Sequence, residues 1–286
     1  MVIQKCYAKL NISLKVLNAE GGYHNLDSIN VTVDKYDVIS VNKRRDDKIL
    51  VTFTGKYGFI PKFQEDTNVY KSAKAFIEKY KTTGANITVT RNVPTGSGMG
   101  SSSCDIAGTL LALKKLYDIK DDVKPIADSL GSDSGYLLTG GLVRATHRGE
   151  ELKPIVSEQK YYFVVIYAKR GVNTKECFSL YDEKYSKEST IDIDEVEKAI
   201  INGDLSSIAK FGGNDLYLPA KELNLDIERN LNALKSLSPE VCFMTGSGSA
   251  CFAIYKEYEM ASWAYSKLKK QYKDMVDLLY LAPPTE

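Results

Sequence analysis

Apolar and polar residues alternate from Cys6 to Leu17, which predicts a strand with one face turned inward. Val38–Val41 and Ile49–Phe53 read as further strands, separated by the polar segment Lys43–Lys48. Asp66-Thr67 can cap a helix whose apolar face is Val69, Ala73, Phe76 and Tyr80, and Gly84 ends that unit. Ile87–Thr90 leads into a glycine-rich loop. Beyond it Ile106, Leu110, Leu113 and Leu116/Tyr117 recur at helical steps. Gly140-Gly141 announces another strand, Leu142–Thr146.

The second half opens with the apolar strand Tyr161–Tyr167. Helical segments follow near Asp194–Ile201 and Asp226–Leu237, then strands Val241–Met244 and Ala250–Tyr255 joined by the turn Thr245-Gly-Ser-Gly-Ser249. A helix near Tyr258–Tyr272 and a strand near Val276–Leu281 close the pattern. Two helices against about four mostly antiparallel strands predict an α+β domain. The polar stretch Gly149–Lys160 separates the halves, giving domains 1–154 and 155–286.

Composition narrows the function classes. A chain of 286 residues builds one large or two ordinary domains with real cores. Its net charge of +1 offers no basic face for nucleic acid. No apolar run approaches the ~20 residues of a membrane span, and the N-terminus has no signal-peptide core, so a cytoplasmic protein without a membrane partner is expected. Cys6, Cys104, Cys177, Cys242 and Cys251 are scattered, and His24 and His147 are the two histidines. That spacing disfavours structural zinc and suits reduced, mostly buried thiols.

The segment from Asn92 to Asp105 sets Gly96, Gly98 and Gly100 before Ser101, Ser102 and Ser103, and a helix follows at once. Glycines allow close backbone approach, and a helix start offers free N–H groups and a dipole that favours anions. The serines can cap the helix or reach a phosphate or its metal. The loop is read as a phosphate site, although Gly/Ser clusters are most often plain loops. It is not a Walker A motif, because no lysine falls between Arg91 and Lys114. A cation must come from elsewhere.

Lys9 and Asn11 share one face of the first strand, either as a solvated face or as a cation and an amide aimed into a cleft. Asp133 lies in the glycine-bracketed turn Gly131-Ser132-Asp133-Ser134-Gly135, either a surface cap or a base partnered by a lysine. Gly21-Gly22-Tyr23-His24-Asn25 is a hairpin tip or a turn that stacks on a base. Thr245-Gly-Ser-Gly-Ser249 is a hairpin or a second loop on the phosphate side.

Taken in order, Ala8-Lys9-Leu10-Asn11, Gly22-Tyr23-His24, Pro94 through Asp105, Gly131-Ser132-Asp133 with Gly140-Gly141, Asn214-Asp215-Leu216 and Thr245-Gly-Ser-Gly248 make the chain resemble the GHMP-superfamily kinases over nearly its whole length. Within them it is most similar to the kinases of the non-mevalonate isoprenoid pathway that act on a cytidine diphosphate-linked polyol. The resemblance implies a two-domain α+β fold. Its N-terminal domain is like ribosomal protein S5 domain 2, its C-terminal domain is ferredoxin-like, and ATP and acceptor lie between. It implies Lys9 and Asp133 as the catalytic pair, with Asn11 touching substrate beside them. Tyr23, His24 and Phe178 correspond to the residues around the cytosine. Asn68 corresponds to the adenine side, and Pro94, Gly96, Ser97, Gly98, Met99, Gly100, Ser101, Ser102 and Ser103 to the ATP loop. Ser103 is a candidate ligand for Mg2+.

Some positions depart from the family pattern. Serines stand for two glycines in the loop, Cys104 for a serine, Gly21 for an Asp, and Ser134-Gly135 for a Val-Pro type pair. A small-molecule acceptor and a monomer or homodimer are expected. Another alcohol as acceptor (mevalonate, homoserine or a sugar), a non-catalytic nucleotide-binding paralogue and an RNA-binding protein remain the alternatives.

Overall fold

The computed structural model describes residues 1–20, 22–186 and 189–283, with Glu20 and Tyr23 described in backbone only. Two long strands, β1 (Val2–Glu20) and β2 (Tyr23–Lys43), form an antiparallel hairpin that carries the first sheet. Beyond β2 lie β4 (Ala85–Thr90), then β3 (Ile49–Thr54), against its second half. Against its first half lie β5 (Leu142–His147), then β6 (Glu151–Pro154). Only β3 and β4 pair in parallel, and helix α1 (Asn68–Tyr80) makes their crossover. Thr67 caps α1 through its hydroxyl, as the sequence predicts. The hairpin is longer than predicted because bulges interrupt its alternation, between Tyr7/Ala8, Asn11/Ser13 and Val16/Ala19.

The bulges decide what each stretch of β1 faces, since one extra residue flips the side chains that follow. Cys6 lies in the core under α2 (Ser101–Tyr117), whereas Ala8, Leu10 and Ile12 join the core of the second sheet, and Leu14 and Val16 a third cluster. That second sheet has the order β10-β7-β9-β8, all antiparallel: β7 (Tyr162–Ile166), β8 (Val241–Met244), β9 (Cys251–Tyr255) and β10 (Val276–Tyr280). Phe163 and Val165 face β1 and β2, while Val164 and Ile166 face α9 (Asp226–Lys235) and α10 (Tyr258–Tyr272). The α+β class holds, but among the described residues this half carries six α-helices, three more than the segments predicted near 194–201, 226–237 and 258–272. Of the others, α6 (Ile193–Asn202) matches a predicted segment, whereas α5 (Thr174–Leu180), α7 (Leu205–Phe211) and α8 (Tyr217–Leu223) are 7 residues each, too short to display a helical repeat. The short α3 (Lys124–Leu130) and α4 (Ser134–Thr139) escape prediction for the same reason.

A buried charge network fixes where α2 begins. Arg91, at the end of β4, is only 1% exposed. One of its terminal nitrogens donates to both Asp105 oxygens (2.7 and 2.8 Å) and the other to Ser101 Oγ (2.5 Å). The Phe53 and Phe59 rings lie 5.1 and 5.7 Å from the guanidinium. Asp37, 4.0 Å from Arg91, accepts the N–H groups of Asn92 and Val93. Two carboxylates thus share one guanidinium. Burial pushes Asp105 up to about 6 against the pull of Arg91, and raises Asp37 as well.

Removing one member of such a pair strands the other charge in the core. Arg91→Met is therefore expected to lower stability by about 3–5 kcal/mol, and Arg91→Met with Asp105→Leu to recover most of that loss. Chemical denaturation of both variants measures this. A single variant within about 1 kcal/mol of the parent would contradict the role given to Arg91.

Candidate active site

The strand pattern places Lys9 and Asn11 on the face of β1 opposite Ala8, Leu10 and Ile12, and all five side chains are buried. Lys9 is 3% exposed. Its ammonium donates to Asn11 Oδ1 and stands 3.3 Å from Asp133 Oδ2. Asp133 is the N-cap residue of α4, about a third exposed at 32%, so one end of the pair is sealed and the other meets solvent. The Leu137 N–H bonds the Asp133 carbonyl at 3.1 Å, which seats Asp133 at the start of that helix. The lysine and the aspartate, 124 positions apart in sequence, are thereby brought together as the resemblance implied.

The glycine loop runs alongside. The Lys9 N–H donates to the Met99 carbonyl at 3.0 Å, and Gly100 sits against the Lys9 side chain. Gly100, at φ +81°, is the N-cap of α2, so none of the three serines caps the helix. Instead Ser101, Ser102 and Ser103 form its first turn. Their N–H groups precede the first intrahelical bond, from Cys104 N–H to Gly100 O at 2.8 Å, and are the unspent donors of the helix start. Asn68, the first residue of α1, donates to Ser102 O at 3.2 Å, which sets the starts of α1 and α2 side by side.

Read from the sequence, the glycines admit a phosphate. The structure gives two of them another task, because the loop crosses backbone to backbone with two turns of the C-terminal half. A Cβ on Gly98, itself at φ +78°, would collide with the Thr245 carbonyl oxygen. A Cβ on Gly96 would come within 2.9 Å of Gly171 Cα. Backbone bonds close the crossing: Val172 N–H and Ser249 N–H to Gly96 O, both 3.1 Å, and Ala250 N–H to Ser97 O, 2.9 Å. Pro94, Ser97 and Met99 are buried, and Met99 is part of the core, so these three support the loop. Thr245 was not singled out from the sequence. Its hydroxyl accepts the Asn11 N–H (2.9 Å) and approaches Gly98 O (3.4 Å), joining strand, loop and turn at one atom. Asn214 holds the turn from behind, donating to Met244 O and Gly246 O at 2.8 and 2.9 Å.

The far end of the cleft is aromatic. Phe178 on α5 stacks on the His24 ring, centroids 5.0 Å apart and planes 20° from parallel, and Tyr181 meets His24 edge-on at 6.1 Å. His24 Nε2 lies 2.7 Å from Asp182 Oδ1. His24 and Phe178 are thus in contact, as members of one site should be, and here it is the imidazole that lies on the Phe178 face. The Tyr23 ring and Gly21 lie outside the described residues. Thr174, one helical turn before Phe178, shares a hydrogen bond with Ser247 at 2.9 Å, which ties α5 to the Thr245–Ser249 turn.

The chain also matches known proteins. Residues 67–142 match the family of GHMP kinases N terminal domains and residues 196–274 that of GHMP kinases C terminal domains. A 4-diphosphocytidyl-2-C-methyl-D-erythritol kinase of Clostridium beijerinckii is 30% identical over 95% of this chain and 97% of its own. Among solved structures, a 4-(cytidine 5'-diphospho)-2C-methyl-D-erythritol kinase superposes with a TM-score of 0.79 at 24% identity, covering 98% of this chain and 99% of that one. A homoserine kinase from Cytophaga hutchinsonii superposes at 0.73 and 19% identity, over 100% and 96% of the two chains. At those identities the two structures share the fold.

The loop crossing makes a direct prediction. Gly98→Ala is expected to cost about 1–3 kcal/mol of stability, since the new methyl must push a carbonyl away from a left-handed backbone position. ATP binding should weaken with it. Thermal melting and calorimetry read the two effects, and a variant as stable as the parent would show that the crossing is not required.

Proposed function

Because the chain belongs to the GHMP kinase family, we propose that it transfers the γ-phosphoryl group of ATP to the 2-hydroxyl of 4-diphosphocytidyl-2-C-methyl-D-erythritol. Use of ATP follows from the family. The observation that carries the reading is the buried Lys9 ammonium 3.3 Å from Asp133, beside a glycine loop and a helix start with unspent N–H donors.

Phosphoryl transfer asks a protein for positioning and for neutralising charge. Asp133, open to the cleft at one end, accepts the hydrogen bond of the acceptor hydroxyl and takes its proton as the new P–O bond forms. Lys9 stabilises the negative charge that builds between the two reactants. The N–H groups of Ser101–Ser103 and the positive end of α2 hold the polyphosphate, with Asn68 at the adenine side. Asn11 lies against Lys9 and contacts the acceptor. The Ser103 hydroxyl, a hard oxygen donor in the first turn of α2, would hold Mg2+. Among the described residues no group of three His, Cys, Asp or Glu forms a cage that would demand a different ion. When bound, such an ion would supply positive charge that offsets the charge of the phosphate groups. In this reading residues 1–154 are the ATP-binding domain and 155–286 the second domain, which supplies the Thr245–Ser249 turn and Phe178.

The cytidyl assignment rests on the aromatic end of the cleft and on the Clostridium beijerinckii relative. A pyrimidine stacks between the Tyr23 and Phe178 rings once His24 leaves the Phe178 face. His24 then meets the base edge, where hydrogen bonding rejects acceptors that lack a base.

The test is ATP turnover with the cytidyl acceptor beside mevalonate and homoserine. The cytidyl acceptor should win, and Tyr23→Ala should raise its KM by about 5- to 150-fold, the worth of one base stack, with little change in KM for ATP. Preference for either simpler alcohol, or indifference to the loss of the Tyr23 ring, would overturn the acceptor assignment and leave the kinase family standing.

A further inference from the structure

A second polar row lies beside the first. On β2, Ser28, Asn30 and Thr32 alternate with Ile29, Val31 and Val33, and all three polar side chains are 1–3% exposed. Asn30 is directly opposite Asn11 in the hairpin. Asn11 Nδ2 donates to Asn30 Oδ1 at 2.6 Å, and Ser28 Oγ donates to the same oxygen at 3.2 Å. The orientation of both amides follows from one chemical fact. An ammonium has donors only, so Asn11 must turn its oxygen to Lys9 and its nitrogen to Asn30, and Asn30 must then answer with its oxygen. What remains of Asn30 is an N–H pair that makes no hydrogen bond to any described residue.

The Asn30 nitrogen is not sealed without a partner, as the Asn230 nitrogen is, so its idle donors stay within reach of a ligand. Thr32 differs, since its hydroxyl accepts the Gly141 N–H at 2.9 Å. Ser13 differs too, exchanging hydrogen bonds with Gly213 at 3.2 Å. In the line Asp133–Lys9–Asn11–Asn30 the Lys9 and Asn11 nitrogens each donate to a neighbour in the line, whereas the Asn30 nitrogen donates to none of them, and Asn30 is next to the side chains proposed to meet the acceptor.

We propose that Asn30 reads the acceptor: its amide N–H pair donates to a hydroxyl oxygen on a carbon next to the one phosphorylated, which makes the site selective for alcohols with a vicinal hydroxyl. The inference rests on the polyol acceptor proposed above. Asn11, held by Lys9 on one side and Asn30 on the other, sets the distance between the reacting hydroxyl and the neighbour that is read.

Steady-state kinetics of Asn30→Asp and Asn30→Leu test it, with thermal melting to confirm folding. Asp keeps an oxygen for Asn11 and Ser28 but loses both donors, and Leu loses donors and acceptor without adding charge. Both variants should raise KM for the polyol acceptor about ten-fold or more, the scale of a lost hydrogen bond with its partner left unpaired, while KM for ATP stays within about two-fold. An unchanged acceptor KM in Asn30→Asp, or equal changes for acceptor and ATP, would overturn the proposal and reduce Asn30 to a prop for Asn11. If Asn30→Leu does not fold, Asn30→Asp decides alone. If the wild-type enzyme prefers another alcohol, the cytidyl reading falls by itself, and the same variants measured on that alcohol still decide the role of Asn30.

Discussion

An ammonium taken out of water must be paired and hydrogen-bonded, and the surroundings of Lys9 answer that demand. Asn11 supplies the oxygen and Asp133 the charge. Because Lys9 belongs to β1 and Asp133 begins α4, the pair ties the central hairpin to the far side of the N-terminal half. The opposite face of the same stretch, Ala8, Leu10 and Ile12, is locked into the core shared with Phe163, Val165, Phe252 and Ile254. Lys9 cannot shift without disturbing the contact between the two sheets, so its position is set by the buried core between them.

The phosphate loop is fastened at both ends by different physics. At its root the Arg91–Asp105 pair is charge against charge in a dry site, bounded by Phe53 and Phe59. At its tip Gly96 and Gly98 lie against the backbone of the Val172 and Thr245 turns, a contact that depends on the absence of side chains. The first anchor belongs wholly to the N-terminal half. The second joins the two halves, and the Thr245 hydroxyl extends it to the backbone of Asn11. In the proposed function ATP and acceptor meet on this frame, in which strand, loop and turn fix one another.

Much of this frame was legible in the sequence. The strand patterns found β1, the second half of β2, β3–β5 and β7–β10, and the Thr67 cap and the apolar spacing found α1, α2, α6, α9 and α10. The first half of β2, from Tyr23 to Tyr36, was missed. In the site, Lys9 and Asp133 were identified, and the structure brings them together. Met99 and Gly98 were read as ligand contacts, whereas Met99 is core and Gly98 lies against Thr245. A period of two says which residues share a face, but not whether that face meets solvent, a cleft or another buried polar row. Ser28, Asn30 and Thr32 alternate with apolar residues in the half of β2 that was missed, so this polar row was not found. Arg91 was given no role, because its partners Asp37 and Asp105 reach it only after folding.

The central claim is that the Lys9–Asp133 pair carries phosphoryl transfer. Asp133→Asn tests it most directly, since the amide keeps the shape and removes the base. Turnover should fall by about 100- to 10,000-fold. ATP affinity by calorimetry should stay within a few-fold of the parent, because the loop and helix start that bind it are untouched. A folded Asp133→Asn enzyme that turns over at nearly the parental rate would contradict the account.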